Sequence, residues 1–209
     1  DVCSSDLKST KLLMTTLLVS LGLAACGGNS TSTSSNQQSL TITTFGELAT
    51  LDSADYDDVP SSDMLGQIFE GLYRVAKDNK VELGMAAEEP TLSADGLVYT
   101  FKLRDAKWSD GTPVTAGDFV FTYRKLVDPK EGHVAQSADV FKNAKKIRSG
   151  ELSTEELGVK AIDDKTLEIT LENPAPNLPK LLTGSRFLPQ SEKVAKEKGD
   201  GYGSSADSI

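Results

Sequence analysis

The sequence predicts a mixed α/β fold of the α+β kind, in which strands and helices follow one another without strict alternation. Three observations point there. Residues 90–104 and 159–171 alternate apolar and polar side chains on either side of a turn signal, as hairpin arms do. Residues 115–127 carry the start, the apolar face and the stop of an amphipathic helix. No strand–helix–strand unit recurs, and no internal repeat is visible.

In chain order, Leu40-Thr41-Ile42-Thr43-Thr44-Phe45 alternates and is β-prone, so it reads as a first strand. Residues 61–73 read as a helix: Ser61 or Ser62 can cap it, Leu65, Ile68, Phe69 and Leu72 fall on one face, and Gly71 stands near its end. In the first hairpin Asp95-Gly96 supplies the turn, because glycine tolerates the positive φ of a tight hairpin, and Leu97, Tyr99, Phe101 and Leu103 share a face. Trp108-Ser109-Asp110-Gly111-Thr112-Pro113 is a turn cluster. It leads into the helix of residues 115–127. Thr115 is its N-cap and Asp118 can reach back, which resembles a capping box, with Val114 and Phe119 as a hydrophobic staple. Phe119, Val120, Tyr123, Leu126 and Val127 line one face, and Pro129 ends the helix. Glu155-Glu156 after Ser153-Thr154 reads as a short helix start, where negative charge suits the dipole. In the second hairpin Asp163-Asp164 makes the turn, and Leu167, Ile169 and Leu171 face one way. Asn173-Pro174-Ala175-Pro176 breaks the chain before an apolar segment at 178–182, and residues 199–209 end without a closing element.

The 209 residues have room for one large domain or two small ones, and 38% hydrophobic with 25% charged residues allows a globular core. The net charge of −9 opposes nucleic-acid binding, and Lys145-Lys146 is too short a basic run to reverse that; it reads as a solvated helix face. Only the N-terminus carries a long apolar run. Residues 1–7 (Asp1-Val2-Cys3-Ser4-Ser5-Asp6-Leu7) read as a translated sequencing adapter, not as protein of biological origin. Residues 8–25 read as an export signal. Lys8 and Lys11 form its charged start, residues 12–23 its apolar stretch, and Leu23-Ala24-Ala25-Cys26 resembles a lipobox. In signals of that kind cleavage precedes the cysteine, so Cys26 is the expected lipid-attachment residue. The apolar stretch is short against the roughly 20 residues a membrane span needs. With Cys26 lipidated and Cys3 foreign, no disulfide remains. Residues 26–39 read as a flexible Ser/Thr-rich tether, too polar to offset the entropy of ordering.

No catalytic constellation emerges. His133 is the sole histidine, so a zinc site or a Ser-His-Asp triad would rest on it alone, and it reads as an exposed loop residue. There is no Gly-rich phosphate loop, and no cofactor is called for. Asp52, Asp55, Asp57 and Asp58 cluster around Tyr56 without the Gly and Glu positions of a calcium loop, and read as a solvated loop. Trp108, the only tryptophan, reads as core beside its turn.

Tyr99-Thr100-Phe101-Lys102-Leu103-Arg104-Asp105-Ala106-Lys107-Trp108-Ser109-Asp110-Gly111-Thr112-Pro113-Val114-Thr115-Ala116-Gly117-Asp118-Phe119 resembles the signature of the extracellular solute-binding family 5, the peptide- and nickel-binding receptors of ABC transporters. Leu51-Asp52, Ile68-Phe69-Glu70-Gly71-Leu72, Val127-Asp128-Pro129 and Leu157-Gly158-Val159-Lys160-Ala161-Ile162-Asp163-Asp164-Lys165-Thr166-Leu167-Glu168 match in order, and are most similar to its oligopeptide-binding branch. The resemblance covers nearly all of residues 40–209. It implies a fold like the type II periplasmic binding proteins. Residues 40–60 and 181–209 then belong to the first lobe and 61–180 to an extra subdomain, with the second lobe missing from this N-terminal portion. It implies a binding protein, not an enzyme, which captures oligopeptides outside the membrane and delivers them to permease subunits. The peptide is held as an added strand through its main chain. The matching first-lobe segment is Asp57, Asp58 and Val59, whose backbones are the expected ligand contacts, with Asp57 or Asp58 also able to attract a basic group. The acid that pairs with the peptide's amino terminus belongs to the missing lobe. Two departures bear on ligand preference. Ala86-Ala87-Glu88-Glu89-Pro90 stands where the family usually has a tryptophan, and His133, Val134 and Ala135 stand where some relatives have a ligand-touching tyrosine. Alternatives within the fold are a dipeptide, pheromone, murein-peptide or nickel-chelate receptor. Alternatives of other classes are a secreted lipid-anchored enzyme with its catalytic groups elsewhere and a surface adhesin.

Overall fold

Each hairpin expected from alternation is present, and the two join in one antiparallel sheet. A computed structural model describes residues 41, 43–131, 135–205 and 208–209. The adapter, signal and tether segments, Cys26 and His133 lie outside the described residues. Strands β3 (Thr91–Leu92), β4 (Val98–Lys102), β5 (Val159–Asp163) and β6 (Thr166–Thr170) are ordered β3-β4-β6-β5. Gly96 takes φ +73° in the first turn, while the Asp95 carboxylate accepts from the Leu97 amide and the Ser93 hydroxyl. In the second hairpin Asp163 pairs with Thr166, so the turn residues are Asp164 and Lys165, one position later than expected. A register shift between Ala161 and Asp163 accounts for the offset. Tyr99, Phe101, Leu167 and Ile169 are buried on the sheet face that meets α2 (Ala116–Lys125).

Helix α2 starts as its sequence requires. The Asp118 carboxylate accepts from the Thr115 amide at 2.8 Å, and Val114 and Phe119 are both buried. The helix stops at Lys125, four residues before Pro129, and turns carry the chain through Asp128. Behind it Tyr123, Phe141 and Phe187 form an aromatic knot with centroids 5.2–5.9 Å apart, and the Tyr123 hydroxyl donates to the Phe187 carbonyl. Ser153 and Glu156 cap the short turn Thr154–Glu156, and Lys145 and Lys146 face solvent on α3 (Ala144–Arg148), both as expected. The segment after Asn177 forms α4 (Leu178–Leu181).

Four further expectations are corrected. No strand forms at Thr41 or residues 43–45, where Phe45 is fully exposed, because a strand needs a ladder partner and none faces it among the described residues. The first helix, α1, is Val59–Ile68, not 61–73. Its cap is Asp58, whose carboxylate accepts from the Ser61 amide at 2.7 Å, and Pro60 fits the first turn. It ends early because the backbone beyond it is taken. Gly84 donates to the Leu72 carbonyl and Met85 to that of Gly71, drawing β1 (Tyr73–Val75) into a ribbon with β2 (Val81–Leu83). The aspartate cluster is not wholly solvated, since Asp52 is buried. The last residues do have a closing arrangement. Helix α5 (Glu192–Lys198) and the turn Gly199–Gly201 bring Tyr202 into a buried position, and the Leu51 amide donates to the Gly203 carbonyl at 2.8 Å.

Gly203 has φ +76°, and an added Cβ would lie 2.5 Å from the Asp52 amide nitrogen. Gly203→Ala is therefore expected to lower stability by about 2 kcal/mol or more, since it combines a left-handed backbone with a clash against fixed main chain. Urea unfolding checks this, and an unchanged midpoint would show that the tail does not need this approach.

Among the described residues no helix is long and apolar enough to cross a membrane, and no group of three or more His, Cys, Asp or Glu is placed to hold a metal ion.

Candidate functional site

The three expected ligand contacts lie together at the N-terminus of α1. Asp57 and Val59 are exposed and Asp58 is half-buried between them. The Asp58 backbone is extended, with φ −114° and ψ 156°, as a strand partner must be. Helix geometry leaves the amides of Asp58 and Val59 without intrahelical acceptors. The Asp58 carbonyl is taken by the Ser62 amide at 3.3 Å, and its carboxylate by Ser61. Hydrogen bonds from the Ser61 side chain and then its amide hold the Asp58 carboxyl below the usual aspartate range. The cap therefore stays charged at neutral pH, and its contribution is lost only as pH falls through that lowered value.

Sequence reading did not find the residues that hold this segment. The Arg186 guanidinium lies 4.5 Å from the Tyr56 ring centroid and donates through Nη2 to the Tyr56 carbonyl at 2.6 Å. The Ser62 hydroxyl donates to the Tyr56 hydroxyl at 3.4 Å and lies 3.2 Å from the Ser185 hydroxyl, which donates to the Ser62 carbonyl at 3.0 Å. Arg186 stands 130 residues from Tyr56, so no local signal connects them. The only trace in the sequence is an arginine beside two residues of the apolar core, Phe187 and Leu188.

Below the segment, buried polar groups tie the first residues of the unit to its last. Asp52 accepts from Lys125 Nζ at 2.6 Å, from Gln190 Nε2 at 2.6 Å and from the Ala54 amide at 2.8 Å. The Ser53 hydroxyl donates to the Leu188 carbonyl, and the Gln190 amide to the Thr122 hydroxyl. Burial, then the Asp52 and Asp118 charges, push the Tyr202 phenol above its ordinary range. Asp118 accepts from the Thr115 amide and hydroxyl, Trp108 Nε1 and the Glu192 amide, so the helix cap also anchors α5. Trp108 is half-buried against the core, as expected, with Phe69 edge-on at 6.2 Å. A separate groove of about 940 Å³ runs between α2 and α5, lined by Phe121, Arg124, Lys196 and Tyr202 among others, and does not include residues 57–59.

Known proteins resemble this chain in sequence and in fold. The family model described as bacterial extracellular solute-binding proteins, family 5 Middle, matches residues 80–207. The oligopeptide-binding protein OppA of Bacillus subtilis (strain 168) is 36% identical over 190 residues, covering 87% of this chain and 35% of that protein. The periplasmic oligopeptide-binding protein OppA of Escherichia coli (strain K12) is 37% identical over 179 residues, covering 80% of this chain and 31% of that protein. The structure of Listeria monocytogenes OppA bound to peptide matches with a TM-score of 0.73 at 42% identity, over 77% of this chain and 32% of that one. The substrate-binding domain of an oligopeptide ABC transporter from Bacillus anthracis str. Ames matches with a TM-score of 0.75 at 46% identity, over 78% and 32%. The chain spans about a third of the length of the curated relatives it matches. With the family model covering most of residues 42–209, and relatives of like fold at this identity, the chain belongs to the bacterial extracellular solute-binding proteins of family 5.

Proposed function

We propose that this chain supplies one wall of an oligopeptide receptor, which captures peptides outside the cytoplasmic membrane and hands them to the permease subunits of an ABC transporter. The observation that carries the reading is the segment at 57–59, with Asp57 and Val59 exposed and the Asp58 backbone extended where it caps α1, in a chain whose relatives are named for oligopeptide binding. A peptide laid along it pairs through its main chain. That gives affinity with little side-chain preference, which suits a receptor for mixed peptides. In this reading Asp57 or Asp58 also attracts a basic group on the ligand. Residues 40–60 and 181–209 belong to the first lobe and 61–180 to the extra subdomain in this reading. Lipid on Cys26 holds the receptor at the outer face of the membrane, and residues 26–39 let the folded part stand away from it.

Native mass spectrometry tests the function on the whole gene product carrying these residues, purified without added ligand. The expected result is a spread of co-purified peptide masses that disappears on unfolding and returns when peptides are added back. A single small organic ligand or metal chelate, or no bound species and no uptake of added peptides, would overturn the oligopeptide reading. Lipid attachment is checked separately by Cys26→Ser, which is expected to release the protein from membranes without altering peptide binding.

A further inference from the structure

We propose that Arg186 is a positioning residue for the peptide-pairing edge, an inference that rests on reading residues 57–59 as that edge. The edge lies between Tyr56 and Ser62, and one turn, Ser185–Phe187, holds both. On the near side Arg186 grips Tyr56 twice: its guanidinium stacks on the ring and its Nη2 donates to the carbonyl. On the far side Ser185 donates to the Ser62 carbonyl. The Ser62 hydroxyl, donating to the Tyr56 hydroxyl, closes the ring of contacts. The turn itself does not drift, because Phe187 is buried against Tyr123 and Phe141, and the Phe187 carbonyl accepts from the Tyr123 hydroxyl. A rigid path thus runs from the aromatic knot through Phe187 and Arg186 to the backbone immediately before the edge.

The chemistry singles out arginine. A planar guanidinium stacks on an aromatic face and donates in its own plane at the same time, which an ammonium does not do. The position also carries a cost, since among the described residues none offers the enclosed Arg186 Nη1 a hydrogen-bond acceptor, an arrangement that lowers stability. What the side chain supplies in return is orientation. Strand addition needs donors and acceptors at fixed spacing, and an edge that must be ordered at the moment of binding gives weaker affinity than one already in place.

The test uses the whole gene product with tri-alanine and tetra-alanine as probes, and compares wild type with Arg186→Met and Arg186→Lys. Methionine keeps an apolar stem of similar reach but neither donates nor stacks as a cation. Arg186→Met is expected to weaken peptide binding about tenfold and to speed exchange of the Ser61 and Ser62 amides, whose acceptors lie on Asp58, leaving exchange in β4 and β6 unchanged. Arg186→Lys should recover part of the affinity through a single donor. Wild-type affinity and exchange in Arg186→Met would overturn the positioning role, as would faster exchange spread through β4 and β6, which marks a general structural residue. If the wild-type protein binds neither probe, the reading of 57–59 as a peptide edge fails, while exchange of the Ser61 and Ser62 amides still decides whether Arg186 holds the segment.

Discussion

Asp118→Ala is expected to destabilise the protein by about 3–4 kcal/mol, because four donors lose one buried acceptor group. The carboxylate receives the Thr115 amide and hydroxyl, Trp108 Nε1 and the Glu192 amide. Its side chain caps α2, fixes the turn that carries Trp108 and starts α5. Helix-cap loss alone is worth about 1 kcal/mol; the remainder is the cost of donors left unpaired in a partly buried position. For a unit of this size the change corresponds to a fall of roughly 10 °C in melting temperature. Trp108 is the only tryptophan, so its emission reports the site directly and should shift to the red as the indole loses its partner. Asp118→Asn keeps one acceptor oxygen and should lose less. Equal stability in Asp118→Ala and wild type would mean that water replaces the carboxylate and that the hub is not a tertiary anchor.

Lys125→Met is expected to cost about 3 kcal/mol, the order seen when one partner of a buried ion pair is removed. Lys125 and Asp52 side chains are 16% and 8% exposed, with Nζ 2.6 Å from Oδ2. Among the described residues, Gln190 Nε2 and the Ala54 amide would then remain to satisfy the Asp52 charge. The double variant Asp52→Asn with Lys125→Met removes both charges and should be more stable than Lys125→Met alone. A double-mutant cycle by urea unfolding isolates the coupling. Additive losses across the cycle would place the pair with exposed salt bridges, whose worth is typically below about 1 kcal/mol.

Both predictions concern contacts that join distant parts of the chain, and their legibility in the sequence was unequal. Asp118 was visible as half of a capping box, because its partner Thr115 is three residues away. That the same carboxylate also receives the Glu192 amide, 74 residues on, was not. Asp52 stood in a run of acids that composition alone reads as solvated, and nothing local tells its burial from the exposure of Asp57. Helix α5 escaped notice because Ala195 is its only buried residue, so it presents no apolar period; its Ser191 cap was the one available signal. The β1–β2 ribbon escaped because its strands are three residues long, although left-handed Asp78 and Asn79 at its turn are residue types that favour such a conformation.

By itself the sequence determined what depends on groups within a few residues of each other. These are the Asp95-Gly96 hairpin, the alternating faces of β4 and β6, the cap and staple of α2, and an ordered set of motifs sufficient to mark the family. Side-chain sterics and local hydrogen bonds decide those features before any long loop closes. Only the tertiary structure decided where α1 stops, which of four neighbouring aspartates is buried, and what holds the segment at 57–59. The first depends on Gly84 and Met85, which take the Leu72 and Gly71 carbonyls; the other two depend on Lys125, Arg186 and Gln190, which meet their partners across 73, 130 and 138 residues of chain. Contacts at such separation carry a loop-closure entropy that is offset by the burial of the core and not by the contacts themselves.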